Sequence, residues 1–83
     1  MIEGYMGTVV VGSANLQTSV AEQEILANPV VNFEIINDQD CHMAFNGGSY
    51  VFVRANQGFQ IDVVSSCKIQ ESGILFNYVG IRR

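Results

Sequence analysis

Basic residues are scarce in this chain of 83 residues. Four Lys or Arg stand against eight Asp or Glu, which gives a net charge of −4. The four bases are Arg54, Lys68, Arg82 and Arg83, and only the last two are adjacent. A surface that binds nucleic acid needs clustered bases to neutralise phosphates. The sequence therefore predicts no nucleic-acid partner.

Long apolar runs are absent as well. No stretch approaches the roughly 18 apolar residues that a membrane-spanning helix requires. The start, Met1 to Met6, carries an acid where a secretory signal carries bases. We therefore expect no membrane partner, and a protein that is made and kept in the cytosol until it assembles.

Cysteine and histidine are few, which limits metal and cofactor chemistry. Two cysteines, Cys41 and Cys67, are too few for a disulfide framework or a closed zinc site. We expect two reduced, half-buried core thiols, with a bridge between neighbouring strands as the alternative. Cys41 and His42 are adjacent, so on a strand they point to opposite faces and cannot easily share one metal. The sequence predicts no metal and no cofactor.

The single histidine, His42, is the one candidate general base. Catalysis would need an acid that orients the ring and a nucleophile nearby. We expect His42 to face solvent on a strand, with no acid within hydrogen-bond reach. Glu34 and Asp62 are expected to face outward on their own strands. The sequence therefore predicts a protein that is not an enzyme.

From about Val31 onward the chain alternates apolar and polar residues with a period of two, which is typical of strands that bury one face. Turn signals recur every eight to twelve residues or so, as in small sandwiches and barrels. The prediction is one all-β domain over 1–83, an antiparallel β-sandwich or barrel of about seven short strands, with 1–7 as a candidate N-terminal arm. The predicted strands are Gly7–Gly12, Val31–Ile36, Cys41–Phe45, Tyr50–Ala55, Phe59–Val64, Cys67–Gln70 and Ile74–Ile81.

The alternation also predicts which residues share a face. In the predicted strand Phe59–Val64, the side chains of Phe59, Ile61 and Val63 share one face. In the predicted strand Val31–Ile36, Val31 shares the face of Phe33. Asn46-Gly47-Gly48-Ser49 predicts a hairpin turn between two strands, because the favoured tight turns need positive φ.

The segment Ser13 to Asn28 has two interpretations. Ser19 to Glu22 matches a helix-capping box, and Ala21 to Ala27 contains good helix formers. The apolar spacing gives only a weak helical stripe, however. A loop with a short strand around Gln17 to Ala21 is the alternative.

The composition favours association. Hydrophobic residues make up 48% of the chain and charged residues 14%. A domain this small buries only about 60% of the surface of its unfolded chain, so part of the apolar surface must lie outside its core. Exposed apolar area commonly marks a partner surface. Five aromatic residues fit either the core or a platform for sugars: Tyr50, Phe52, Phe59, Phe76 and Tyr78.

Four segments together resemble small accessory proteins of tailed bacteriophages. They are Val31 to Asp38, Gly47 to Val53, Gly58 to Asp62 and Glu71 to Gly80. These accessory proteins are head-decoration, head-fibre or tail-associated β-sandwich modules. The resemblance implies a structural role in a virion, commonly as a trimer or bound to a capsid or tail surface.

These observations together predict a non-enzymatic virion protein that binds copies of itself, with a trimer as one option, and other virion proteins. The interface candidates are Tyr5, Met6, Tyr50, Tyr78, Arg82 and Arg83. The arm Met1 to Gly7 and the tail Gly80 to Arg83 are expected either to reach a neighbour or simply to fray. The alternative is a carbohydrate-binding or host-recognition module that uses surface aromatics.

Overall fold

The computed structural model describes residues 9–13 and 15–82, and these residues form eight β-strands. No helix occurs in this part of the chain, so the all-β prediction is confirmed, with eight strands in place of about seven. Gly7 of the first predicted strand and the candidate arm 1–7 lie outside the described residues. The strands are β1 Val9–Gly12, β2 Gln17–Thr18, β3 Val30–Asn37, β4 Cys41–Phe45, β5 Val51–Val53, β6 Phe59–Val64, β7 Cys67–Ile69 and β8 Leu75–Arg82.

The strands form two antiparallel sheets with the core between them. The larger sheet has five strands in the order β1, β8, β3, β6, and β2 pairs with β8 beyond the end of β1. The smaller sheet has three strands in the order β5, β4, β7. Phe33 and Ile35 of the larger sheet pack in one cluster with Met43, Val53 and Ile69 of the smaller one. Burial of one face of each sheet is what the period of two predicted.

The predicted hairpin turn is present between β4 and β5, which pair antiparallel. Asn46 and Gly47 occupy its centre with φ values of 55° and 76°. The Gly48 N–H donates to the Phe45 carbonyl oxygen at 2.9 Å and closes the turn. Positive φ at both central residues is the conformation that an Asn-Gly pair favours.

In the described part of the 13–28 segment, the helix prediction is wrong and the short-strand alternative is confirmed, because β2 covers Gln17–Thr18. Ser19, the predicted helix cap, bonds instead to a distant part of the chain. Its buried hydroxyl donates to the Glu71 carbonyl oxygen at 2.7 Å and accepts the Ile74 N–H at 2.9 Å. These bonds fix the segment to the β7–β8 connection, which overrides its weak local helix propensity.

A β-bulge in β3 changes which valine enters the core. Asn32 has a φ of 51°, and the pairing register with β8 shifts between Val31 and Glu34. Val30 and Phe33 are both buried although they are three residues apart, which an uninterrupted strand would not allow. The prediction that Val31 shares the core face of Phe33 is therefore wrong, because Val30 takes that place.

The same exchange occurs on the neighbouring strand β6. Val64 is fully buried, whereas Val63, which was predicted to face with Phe59 and Ile61, is 61% exposed. Val64 lies opposite Val30, so on both strands the residue that enters the core is shifted by one position from the predicted one. Val63 is left on the outer side of the sheet.

Cys41 of β4 and Cys67 of β7 are free and fully buried, not half-buried as expected. Burial, with a smaller contribution from the Glu71 charge, raises the pKa of Cys41 to about 11. Burial also raises the pKa of Cys67 to about 12, with the Glu24 charge adding to the effect. Both thiols are neutral core side chains near pH 7.

Candidate functional site

An apolar row crosses the outer face of the larger sheet. Val10 of β1 lies opposite Ile81 of β8, and Ile81 lies opposite Val31 of β3. Val31 in turn lies opposite Val63 of β6. Directly opposite residues of antiparallel strands share a face, and Val10 and Val63 are 73% and 61% exposed, so this face is the solvent side. We call these four residues the outer row.

A groove of ≈ 580 Å³ runs along the outer row. Its walls include Val31, Ile81 and Val63, with Pro29 and Arg82 beside them. Arg82, an interface candidate from the sequence, is half-buried there. The groove therefore combines an apolar floor with one guanidinium group.

Three of the interface candidates lie outside the described residues. They are Tyr5, Met6 and Arg83.

Acidic side chains border the outer row. Glu34 of β3 is exposed on the next row of the sheet, opposite Val79 of β8 and Gln60 of β6. Asp62 is exposed and directly precedes Val63. The prediction that Glu34 and Asp62 face solvent from their own strands is confirmed. The face as a whole is an apolar strip with charged margins, the usual anatomy of a protein-association surface.

His42 of β4 is bound to an acid, and the expectation that it has none within reach is wrong. Its ring Nδ1 lies 2.6 Å from Glu71 Oε2, and its backbone N–H donates to Glu71 Oε1 at 2.9 Å. Burial opposes ionisation of Glu71, but these two hydrogen bonds lower the pKa of Glu71 below its ordinary value. The His42 carbonyl oxygen also accepts the Gln70 N–H at 2.8 Å.

These contacts fasten the β7–β8 connection onto β4. Both oxygens of the Glu71 carboxylate are engaged by His42, and the exposed Phe52 ring lies 5.5 Å from the imidazole. The sequence missed this pair because 29 residues separate its members. Chemically, the arrangement orients an imidazole at the surface of the smaller sheet.

The described residues hold no group of three or more His, Cys, Asp or Glu side chains placed to bind a metal ion. In the same part of the chain, no helix has the length and apolarity to cross a bilayer.

The five candidate aromatics divide between the core and the surface. Phe76 is buried, and Phe59 and Tyr78 pack against the core while remaining partly exposed. Phe52 is exposed, and Tyr50 is half-buried just before β5. Tyr78 lies on β8 of the larger sheet, whereas Tyr50 precedes β5 of the smaller sheet, and the two rings do not pack against each other.

Tyr78 does line a second groove, of ≈ 400 Å³, between the β1–β2 edge and the segment that follows β2. Its walls are largely polar and include Ser13, Gln17 and Gln23. Glu24 also lies there, but its carboxylate accepts the Leu26 and Cys67 backbone N–H groups. Glu24 therefore has a structural role in this wall.

Comparisons with protein-family models, with curated proteins and with solved structures found no match for this chain.

The outer row was not predicted from the sequence, although a signal for it exists. Adjacent valines occur on three of its strands: Val9-Val10, Val30-Val31 and Val63-Val64. Two adjacent apolar residues on a strand make both faces of the sheet apolar at that point. Three such pairs on paired strands give an apolar strip on the solvent side.

Proposed function

We propose that this protein is a non-enzymatic structural subunit that acts by protein–protein association through the outer row. The observation that carries the proposal is the outer row itself, in which exposed valines lie at both ends. Removing Val10 and Val63 from water would stabilise an interface by about 1 kcal/mol each. A small domain that leaves such a strip uncovered gains more from a partner than a large one does.

The proposed setting is the virion of a tailed bacteriophage, as a capsid-decoration, fibre or tail component. The resemblance of the strands and turns from Val31 to Gly80 to such accessory proteins supports this setting. The partners are copies of the chain and other virion proteins, and the location is the virion after synthesis in the host cytoplasm. The net charge of −4 supports a protein partner over nucleic acid.

Sedimentation velocity of Val63→Lys against the wild type tests the role of the outer row. Val63 is largely exposed, so the substitution leaves the core intact. We expect the wild type to self-associate as its concentration rises. Val63→Lys should weaken that association at least tenfold, which corresponds to about 1.4 kcal/mol. Gln60→Lys is the matched control, because Gln60 is exposed on the same strand outside the outer row. Equal behaviour of all three proteins would contradict the proposal.

Carbohydrate binding is the second candidate function, and the groove along Tyr78 is the observation that favours it. Its volume of ≈ 400 Å³ lies within the range of small-molecule sites. An aromatic ring beside amide and hydroxyl groups suits a sugar, which has apolar ring faces and polar edges. A glycan array separates the two functions, since a structural subunit gives no binding there.

A further inference from the structure

The edge of β1 is the least protected strand edge of the described structure. Natural proteins protect open edges with charges, short strands, bulges or covering segments, because an open edge pairs with other strands. β1 has the sequence Val-Val-Val-Gly, with no charge and no proline. Among the described residues, no backbone group pairs with its outer side.

The other edges are short, carry a charge or are partly covered: β2 has only two residues, and β6 contains the exposed Asp62. The β7 edge is covered by hydrogen bonds from the Glu22 N–H to the Ile69 oxygen and from the Ile25 N–H to the Cys67 oxygen. On β6, the Asn46 side chain donates to the Val63 oxygen at 3.3 Å. β5 has only three residues. The contrast singles out β1 as the edge that is open to pairing.

The pairing register shows which groups of β1 point outward. The Ser13 N–H donates to the Tyr78 oxygen at 3.1 Å, on the side facing β8. Because hydrogen-bonded and non-hydrogen-bonded pairs alternate along an antiparallel ladder, Val11 and Val9 also bond to β8. The N–H and C=O groups of Val10 and Gly12 therefore point away from β8, toward solvent.

We propose that the β1 edge pairs antiparallel with the β1 edge of a second copy of this chain, about a two-fold axis at Val11. In this register Val10 faces Gly12 of the second copy, and Gly12 faces its Val10. The two pairs exchange four backbone hydrogen bonds, so the pairing satisfies all the outward groups of Val10 and Gly12. This inference rests on the proposed function, and it names a second copy of the chain as the first partner.

Charge supports a second copy as the occupant. The acids on the outer face, Glu34 and Asp62, lie on β3 and β6, two and three strands away from the β1 edge. Pairing at β1 therefore keeps Glu34 and Asp62 of the two chains, each with a net charge of −4, apart. Arg82, opposite Val9, lies on β8, one strand away from the junction.

The pairing has two structural consequences. The two larger sheets become one continuous sheet, on which the outer rows of the two copies lie side by side, offset by two residues because Val10 faces Gly12 of the other copy. An isologous contact about a two-fold axis closes at two copies. The basic unit is therefore a dimer, whereas the sequence resemblance gave a trimer as one option.

Val10→Pro tests the pairing directly. Proline removes the Val10 N–H, which points outward, and keeps the side chain apolar, and edge strands tolerate proline at such a position. Val10→Thr is the matched control, because it keeps the N–H and the branched β-carbon. At low protein concentration, where association through the outer row is weak, we expect light scattering to give a dimer mass for the wild type and for Val10→Thr, and a monomer mass for Val10→Pro.

Hydrogen exchange of the wild type gives a second measurement that needs no variant. We expect the Val10 and Gly12 amides to exchange at least tenfold more slowly in the concentrated protein than after dilution. Exchange that does not depend on concentration overturns the pairing, even if Val10→Pro fails to fold. A folded Val10→Pro with the dimer mass overturns it as well.

The two proposals fail in distinguishable ways. If Val63→Lys changes nothing while Val10→Pro gives a monomer, the outer-row function is wrong and the edge pairing stands. If Val63→Lys abolishes association and Val10→Pro leaves it unchanged, the edge pairing is wrong and the outer-row function stands. A wild type that is monomeric at every concentration overturns the pairing.

Discussion

Replacing Asn37 by alanine is expected to destabilise the fold severely, because this buried side chain joins the two sheets. Its amide nitrogen donates to the Gln39 oxygen and the Arg54 oxygen, each at 2.8 Å, and to the Val53 oxygen at 3.3 Å. Its amide oxygen accepts the Gly58 N–H at 3.0 Å. Asn37 thus connects the end of β3 with the end of β5 and the turn that follows.

The magnitude follows from these contacts. A hydrogen bond contributes about 1 kcal/mol net, and a buried donor left without a partner costs about 1–3 kcal/mol. Losing the two 2.8 Å bonds therefore costs about 2 kcal/mol, and leaving the Gly58 N–H without its acceptor adds about 1–3 kcal/mol, for a total of about 3–5 kcal/mol. The whole domain is expected to have a free energy of unfolding of about 4–12 kcal/mol, at about 0.05–0.15 kcal/mol per residue. Asn37→Ala removes a large fraction of that.

Urea unfolding followed by circular dichroism measures the loss. Asn77→Ala is the control, because Asn77 is exposed on β8 and its replacement should change stability by at most about 0.5 kcal/mol. Asn37→Asp adds a pH test, since its carboxylate would face carbonyl oxygens and its protonated form regains a donor. That variant should recover stability as the pH falls. If Asn37→Ala lies within about 1 kcal/mol of Asn77→Ala, the argument from the buried hydrogen bonds is refuted.

Two further predictions concern other contacts. Because the pKa of Glu71 is lowered from 4.5 in the folded state, the ionised Glu71 carboxylate stabilises the protein above that pH, and its contribution is lost as the pH falls through the lowered value. Glu71→Gln should therefore flatten the loss of stability below about pH 4.5 in urea unfolding, and an unchanged slope would contradict this. Gly58→Ala should cost about 2–3 kcal/mol in the same assay, since Gly58 has a φ of 67° and a β-carbon there would meet the Ile35 oxygen. Gly47→Ala, at a φ of 76° with open space around it, should cost only about 1 kcal/mol, and equal losses would show that the steric contact is unimportant.

The features that the sequence predicted correctly are local. Asn46-Gly47 forms the turn it favours, and β4 and β5 pair across it. On β8, Phe76 faces the core and Asn77 and Val79 face solvent, in keeping with the period of two. Turn chemistry and side-chain alternation act over a few residues, so the order of residues is enough to predict them.

The features that the sequence did not predict depend on distant parts of the chain. Ser19 carries a local helix-cap signal, but its hydroxyl bonds to the Glu71 and Ile74 backbone groups more than fifty residues away. His42 was expected to lack an acid and holds Glu71 through two contacts. Such pairs form only when the sheets pack, and a single sequence does not indicate them.

By itself the sequence determined the strands and most of their buried faces, because a period of two and glycine turns are properties of short segments. The tertiary structure alone decided which sheet each strand joins and, among the described residues, that β1 lies at the edge of the larger sheet. It also decided that Val30 and Val64 enter the core while Val31 and Val63 face out, since the bulge at Asn32 and the packing across the core fix the register. The outer row, and with it the proposed association surface, exists because of that choice.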